Sequence, residues 1–73
     1  MTESLMISHH ARRRMKKRVG IPYRAQLRHL VRVVRDGEFE ITHRGACFNY
    51  GEFRYCFKCG ILATVVPHHN LFR

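Results

Sequence analysis

Two histidines and six basic side chains fall within residues 9–18, the stretch HHARRRMKKR. Side chains four residues apart share one face of a helix. Two such lines run through the stretch, one of His10, Arg14 and Arg18 and the other of His9, Arg13 and Lys17. Imidazoles titrate near neutral pH, and guanidinium groups hold phosphates in forked geometry. The stretch therefore predicts a site that binds a phosphate group beside an acid or base.

Cleavage of RNA without a metal is one chemistry that this pattern supports. The neighbouring 2′-hydroxyl attacks the phosphate, so a base must take its proton and an acid must protonate the leaving oxygen. Cations stabilise the charge that develops on the phosphate. We assign His10 as acid or base, and Arg14 and Arg18 as phosphate clamps. His68 is a candidate second acid or base that would close the site from the sheet, together with Thr64, for which an ordinary place in the strand is the favoured alternative.

The same residues also have ordinary structural interpretations. A histidine at the start of a helix is commonly solvated or packed, and Arg14 and Arg18 can pair with acidic side chains or backbone carbonyls. Tyr55 is a candidate for stacking on a base, although a place in the core or on the sheet surface is the favoured alternative. These alternatives stay open at the level of sequence.

Net charge narrows the class of partner. The 73-residue chain has a net charge of +9, and residues 1–36 hold ten of its 14 Lys and Arg. This asymmetry favours nucleic acid first, then an acidic protein, with a membrane surface least favoured. No apolar run approaches the roughly 20 residues of a membrane span. The expected nucleic-acid contacts on the first helix and the sheet are Arg13, Lys17 and Tyr55. A second basic stripe either contacts the nucleic-acid backbone or is simply a solvated helix face; its members are Arg24, Arg28, Arg32 and Arg35.

Capping residues and periodicity predict the elements that position these side chains. Ser8 and Gly20 delimit a helix over residues 9–19, whose apolar stripe is Ala11, Met15 and Val19. A second amphipathic helix is predicted over residues 22–36, from Pro22 to the stop at Gly37.

The pattern then changes to strands, with the sheet predicted over residues 38–67. Phe39, Ile41 and His43 alternate with polar residues, which predicts a half-buried strand, and a hairpin bends near Gly51. Residues 61–67 are expected to be the central, most buried strand. The predicted fold is α+β, with two N-terminal helices packed on a small three- to four-stranded antiparallel sheet, in a single domain of residues 1–73.

Three cysteines raise the question of a metal. The N-terminus lacks the pattern of a secretory leader, so a cytoplasmic location is expected, where cysteines are thiols or metal ligands. Cys56 and Cys59 form a C-x-x-C pair like a zinc-knuckle turn. The further candidate ligands are Cys47, His43, His68 and His69. Because the spacing does not match a paired C-x-x-C site, we expect no cofactor, with buried or idle cysteines favoured over zinc.

The order of these motifs resembles a known superfamily. Residues 9–22, HHARRRMKKRVGIP, look like the start of small bacterial and phage proteins that read H-A-x-x-R-M-x-x-R-x-G-I, here from His10 to Ile21. A second helix ending in Gly37, a hairpin and the strand LATVVP follow in the same order. The chain is thus similar to the BrnT-like and RelE-like toxin superfamily over most of its length. The resemblance implies two helices on an antiparallel sheet, metal-independent endoribonuclease activity and neutralisation by an acidic antitoxin.

Two functions from different classes follow. The first is RNA binding by a toxin-like protein of a toxin–antitoxin or mobile-element system. Such a protein is also a metal-independent endoribonuclease if its histidines converge in space. The second is a non-catalytic phage or mobile-element inhibitor or regulator, whose basic helices bind nucleic acid, an acidic protein surface or a host nuclease. A zinc-stabilised adaptor is a third alternative. An exposed edge strand at residues 38–43 would also allow two copies to pair as a homodimer.

Overall fold

Two helices lie in one layer on a five-stranded sheet in the structure, a computed structural model that describes residues 6–68. Helix 1 comprises α1 (His9–Arg14) and a π-helical segment (Met15–Val19) that continues it. Helix 2 comprises a 3-10 turn (Tyr23–Ala25) and α2 (Gln26–Asp36). The strands are β1 (Met6–Ile7), β2 (Glu38–Thr42), β3 (Gly45–Tyr50), β4 (Phe53–Lys58) and β5 (Ile61–Pro67). Neither of these two helices is long and apolar enough to cross a membrane.

The strands lie in the order β1-β5-β4-β3-β2. Strands β2 to β5 form an antiparallel meander, and β1 adds to its edge in parallel, with Met6 opposite Ile61. The predicted antiparallel sheet is confirmed for the four strands of residues 38–67, but the parallel edge strand β1 makes the whole sheet five-stranded and mixed. A strand of two residues shows no period from which its pairing could be predicted. The prediction of a central β5 is wrong, since β4 is the middle strand and its Tyr55, Cys56 and Phe57 are all buried.

A narrow apolar stripe attaches helix 1 to the sheet. Ala11 and Met15 are fully buried, and Val19 packs at the margin of the same core. In an ideal α-helix, residues four apart drift around the axis by about 40° per step. The π-helical segment, closed by a hydrogen bond from Gly20 N to Met15 O, has more residues per turn and shifts the stripe back. The change of helix type keeps all three apolar side chains facing the sheet.

The predicted capping residues fasten both ends of helix 1. Ser8 Oγ accepts a hydrogen bond from Ala11 N and donates one to Ala63 O. Ser8 N donates to Leu62 O, so the start of the helix is joined to β5. Gly20 ends the helix in the left-handed region, with a φ of 86°.

The core lies between the helix layer and the sheet. It consists of Ala11, Met15, Leu30, Val33, Tyr55, Phe57, Leu62 and Val65. Helix 1 packs on β5, and α2 packs on β3. Gly37 ends α2 as predicted, at a point where a Cβ would collide with Val33 O and press on Phe48, so the close approach of the chain requires glycine.

Strand β2 lies at an open edge and is more exposed than its alternation predicts. Phe39 is 56% exposed and Ile41 is 69% exposed. Phe39 contacts Phe48, with ring centroids 5.3 Å apart. Phe39 and Ile41 therefore extend the inner, helix-facing side of the sheet toward its open edge. The expectation of a half-buried strand is wrong because α2 packs on β3 and leaves this face of β2 uncovered. Pairing of two copies through the edge stays a prediction.

A buried glutamine joins the two helices. Gln26, fully buried at the start of α2, donates from Nε2 to Arg12 O at 3.0 Å and to Ile21 O at 3.1 Å. One carbonyl belongs to helix 1 and the other to the link between the helices. A single side chain therefore fixes how helix 2 leaves helix 1.

Replacing Gln26 with leucine keeps a similar volume and removes both hydrogen bonds. We expect the free energy of unfolding to fall by about 1–3 kcal/mol, because two carbonyl oxygens lose a buried donor. Urea unfolding followed by circular dichroism measures this loss. The exposed Arg24→Gln variant is the control and should stay within about 0.5 kcal/mol of the wild type. Equal stability of Gln26→Leu and the wild type would contradict the role given to the amide.

Candidate nucleic-acid interface

Six side chains of helix 1 line one open concave surface of about 550 Å³, which we call the basic groove. They are His9, His10, Arg13, Arg14, Lys17 and Arg18. The two lines of residues four apart therefore border the same space. Because Ala11 and Met15 are buried against the sheet, the remaining faces of helix 1 point outward. Arg14 is half-buried and the other five groove residues are exposed.

The groove's positive charge has no acidic partner among the described residues. No carboxylate contributes to its lining. Within residues 6–68, the ion pairs join Arg35 to Asp36 and Arg54 to Glu40, both away from helix 1. The cations of the groove are therefore left to interact with water or with an anion from outside.

Like charges lie next to one another along the groove. Arg13 and Lys17 are four residues apart, as are Arg14 and Arg18. Such like-charged pairs on a helix are each unfavourable by about 0.2–0.5 kcal/mol. A bound anion would relieve this repulsion, so the arrangement favours negatively charged ligands.

The motif of residues 10–21 divides into two sets with different surroundings. Ala11 and Met15 belong to the core and Gly20 ends the helix, so these three positions have structural roles. The other set, His10, Arg14 and Arg18, lines the groove. Because half of the motif serves to hold helix 1 on the sheet, its presence alone assigns no chemistry to the polar set.

The sheet does not bring the predicted second acid or base to the groove. His68 follows β5 with its Nδ1 3.4 Å from Arg54 Nη2, and it borders a separate concave surface. Thr64 lies opposite Cys56, on the sheet face away from the helices. The expected convergence of His68 and Thr64 with His10 is therefore wrong, because strand alternation turns Thr64 to the outer face and His68, which follows the strand, lies beside Arg54.

Tyr55 is a core residue, which confirms the favoured structural alternative and makes its candidate contact with a nucleic-acid base wrong. It is 1% exposed, and its Oη lies 3.0 Å from His29 Nε2. Its position on the middle strand faces the helix layer, which no base can enter. Burial raises the pKa of Tyr55 to about 12, so the hydroxyl group stays protonated.

His29 forms a contact between helix and sheet that the sequence pattern did not predict. Its ring packs edge-on against Tyr50, with centroids 5.8 Å apart, and bonds to Tyr55. Burial, and then the positive charge of Arg32, lower the pKa of His29 below its ordinary value of 6.5. Its one signal in the sequence is its place beside Leu30, at the margin of the apolar side of helix 2. The contact secures α2 on the sheet.

The second basic stripe is exposed and lies outside the groove. Its members are Arg24, Arg28, Arg32 and Arg35. Arg35 pairs with Asp36 at 3.0 Å, which offsets part of its charge. Contact of this stripe with nucleic acid stays a prediction.

The candidate zinc ligands are not gathered into one site. Cys59 is exposed in the turn after β4, with a φ of 52°, and His43 is exposed in the turn after β2. Cys47 and Cys56 are buried beside each other. Across residues 6–68, no group of three or more His, Cys, Asp or Glu side chains is placed to hold a metal. His69 lies outside the described residues.

Comparisons with known proteins do not assign the chain to a family. No protein-family model matches it, and no curated protein or solved structure matches it. The similarity to the BrnT-like and RelE-like superfamily therefore stays a prediction that rests on the motif of residues 10–21 and the order of the elements.

The lowered pKa of His29 predicts a loss of stability in acid. Below about pH 6.5 the imidazole takes up a proton in the unfolded chain, while the folded chain resists it, so the free energy of unfolding falls with falling pH. The loss begins near the unfolded pKa of 6.5 and levels off below the folded pKa. Urea unfolding at a series of pH values from about 8 to about 5 measures this slope.

Two variants separate this effect from that of the other histidines. His29→Gln should show a shallower fall in the free energy of unfolding over the same pH range. His43→Gln, in an exposed turn, should keep the wild-type slope. Equal slopes in His29→Gln and the wild type would contradict the assignment.

Proposed function

We propose that the protein binds RNA through its phosphate backbone, with the basic groove of helix 1 as the contact surface. The observation that carries the proposal is the lining of the groove. Four cations and two imidazoles border one open surface, and no carboxylate contributes to it among the described residues.

The spacing of the cations suits a strand of phosphates lying along the helix. Residues four apart on a helix are separated by about 6 Å along its axis. His10, Arg14 and Arg18 therefore offer three successive positions, and Arg13 and Lys17 offer a second line beside them. Arginine forks hold phosphates in bidentate geometry, which a compact lysine ammonium does not.

Among the described residues, no Phe, Tyr or Trp side chain lines the groove, so any stacking of a base is limited to the imidazoles of His9 and His10. Contacts restricted to phosphates do not distinguish one base from another. We therefore expect binding that depends strongly on salt and weakly on sequence. The choice of RNA over DNA rests on the resemblance of residues 10–21 to the toxin superfamily.

Cleavage is a second candidate function, favoured by His9 and His10 on the same groove as the cations. Acid and base must act on opposite sides of the reacting phosphate. The two imidazoles are neighbours at one end of the groove, and His68 lies beside Arg54. Binding without cleavage is therefore the function that the geometry supports best.

Binding is tested with a charge-neutralising variant of the groove, Arg13→Gln with Lys17→Gln. Both side chains are exposed, so the fold should be retained. We expect affinity for a labelled single-stranded RNA to fall about tenfold or more, and the slope of log affinity against log salt to shrink by about 1.4. Fluorescence anisotropy at several salt concentrations measures both quantities.

The matched control is Arg44→Gln with Lys58→Gln, which removes the same charge from exposed positions outside the groove. It should lose less than about threefold in affinity. Equal losses in the two variants would show that net charge alone attracts RNA, which contradicts a defined groove. No RNA binding by the wild type, with capture of an acidic protein instead, would favour the inhibitor or antitoxin-bound alternatives.

Cleavage is tested by incubating the protein with labelled RNA in EDTA, beside a His10→Ala variant. We expect RNA to be bound and left intact by both proteins. Cleavage by the wild type that is lost in His10→Ala would contradict the non-catalytic account and place an acid or base at His10. Cleavage is detected on a denaturing gel, as labelled RNA fragments shorter than the intact strand.

A further inference from the structure

Two buried cysteines face each other across neighbouring strands on the outer side of the sheet. Cys47 of β3 lies directly opposite Cys56 of β4, and their Sγ atoms are 3.1 Å apart. Cys47 is 0% exposed and Cys56 is 1% exposed. The proposed RNA-binding groove does not use them, because helix 1 covers the other face.

The hairpin geometry places this pair at a favourable position for a bond. The turn between β3 and β4 is formed by Gly51 and Glu52, so Tyr50 and Phe53 close the hairpin. Pairs alternate from there between hydrogen-bonded and non-hydrogen-bonded types. Three steps along, Cys47 and Cys56 occupy a non-hydrogen-bonded pair, where Cα atoms are about 4.5 Å apart and side chains are closest. That separation is within the range that disulfides span.

Within residues 6–68, the other hydrogen-bonding neighbours of the two sulfur atoms offer no competing chemistry. Cys47 Sγ lies 3.3 Å from Thr42 Oγ1 and 3.6 Å from Gly45 O. Cys59 is exposed in the turn at the end of β4. Neither the Thr42 hydroxyl nor the Gly45 carbonyl completes a set of metal ligands or acts as a base that would activate a thiol. Each buried thiol therefore has the other as its neighbouring reactive group.

We propose that Cys47 and Cys56 are a site of reversible oxidation, in which a peroxide converts the two thiols to a cross-strand disulfide. One thiolate attacks a peroxide oxygen, which forms a sulfenic acid and releases one water. The second sulfur then attacks the first and displaces hydroxide, which leaves as a second water with the remaining thiol proton. Two electrons pass from the cysteines to the peroxide, and a thiol reductant reverses the step.

The surroundings of the pair keep it reduced until an oxidant is present. Burial, followed by the hydrogen bond with Cys47, raises the pKa of the Cys56 thiol to about 12. Since thiolates are the reactive form, the pair reacts slowly at neutral pH. Once formed, the disulfide would join β3, which lies beneath α2, to β4, the middle strand of the sheet. It would also lower the conformational entropy of the unfolded chain.

The experiment exposes the folded Cys59→Ser variant to hydrogen peroxide and then alkylates all remaining thiols in denaturant. Mass spectrometry of the whole chain and of its peptides should show both thiols lost, a linked Cys47–Cys56 peptide, and restoration of the thiols by dithiothreitol. We expect the oxidised form to unfold at a temperature higher by roughly 5–15 °C. The variant Cys47→Ala with Cys59→Ser is the control and should form no internal link.

Access of peroxide to the buried pair is controlled by repeating the oxidation while the Cys59→Ser variant refolds from urea. Two intact thiols after both treatments would overturn the proposal. Oxidation of each sulfur to sulfinic acid without a link would also overturn it, because it would show that the sulfurs do not bond. A link that forms only between separate chains would have the same meaning.

Discussion

Burial of Ala11 and Met15 is the constraint on which the rest of the structure depends. Helix 1 has only a narrow apolar stripe, and the helix is stable only when this stripe packs against the sheet. That requirement fixes the rotation of the helix about its axis, and the π-helical segment keeps Val19 on the same line. Every other face of helix 1 is basic, so the rotation that buries the stripe also assembles the groove. Ser8 and Gln26 then hold the helix at its start and at its junction with helix 2.

The groove combines this rigid placement with unfavourable electrostatics. Neighbouring cations on one helix repel each other, and no described carboxylate neutralises them. A surface selected only for stability would carry mixed charges at these positions. Repulsion that is tolerated in the free protein and relieved by a polyanion is the pattern expected of a binding surface. The acidic residues Asp36 and Glu40 lie elsewhere and pair with Arg35 and Arg54.

Local signals in the sequence were sufficient for the helices and for the lining of the groove. The helix caps at Ser8 and Gly20, like the spacing of four residues, depend only on residues close in sequence. These features can therefore be predicted directly from the sequence. The errors concern contacts between distant segments. The exposure of Phe39 depends on how far α2 extends over the sheet, and the burial of Tyr55 depends on β4 being the middle strand. The pairing of Cys47 with Cys56 is an intermediate case, because a two-residue turn at Gly51 and Glu52 implies that register once the turn is located.

Binding of a polyanion along helix 1 is tested most directly by titrating isotopically labelled protein with single-stranded RNA. Amide shifts in a heteronuclear NMR spectrum report the contact surface residue by residue. We expect shifts concentrated from Ser8 to Gly20, with the amides on the outer face of the sheet around Cys47 and Thr64 unchanged. Shifts centred on the outer face, or spread evenly over every exposed basic residue, would contradict it.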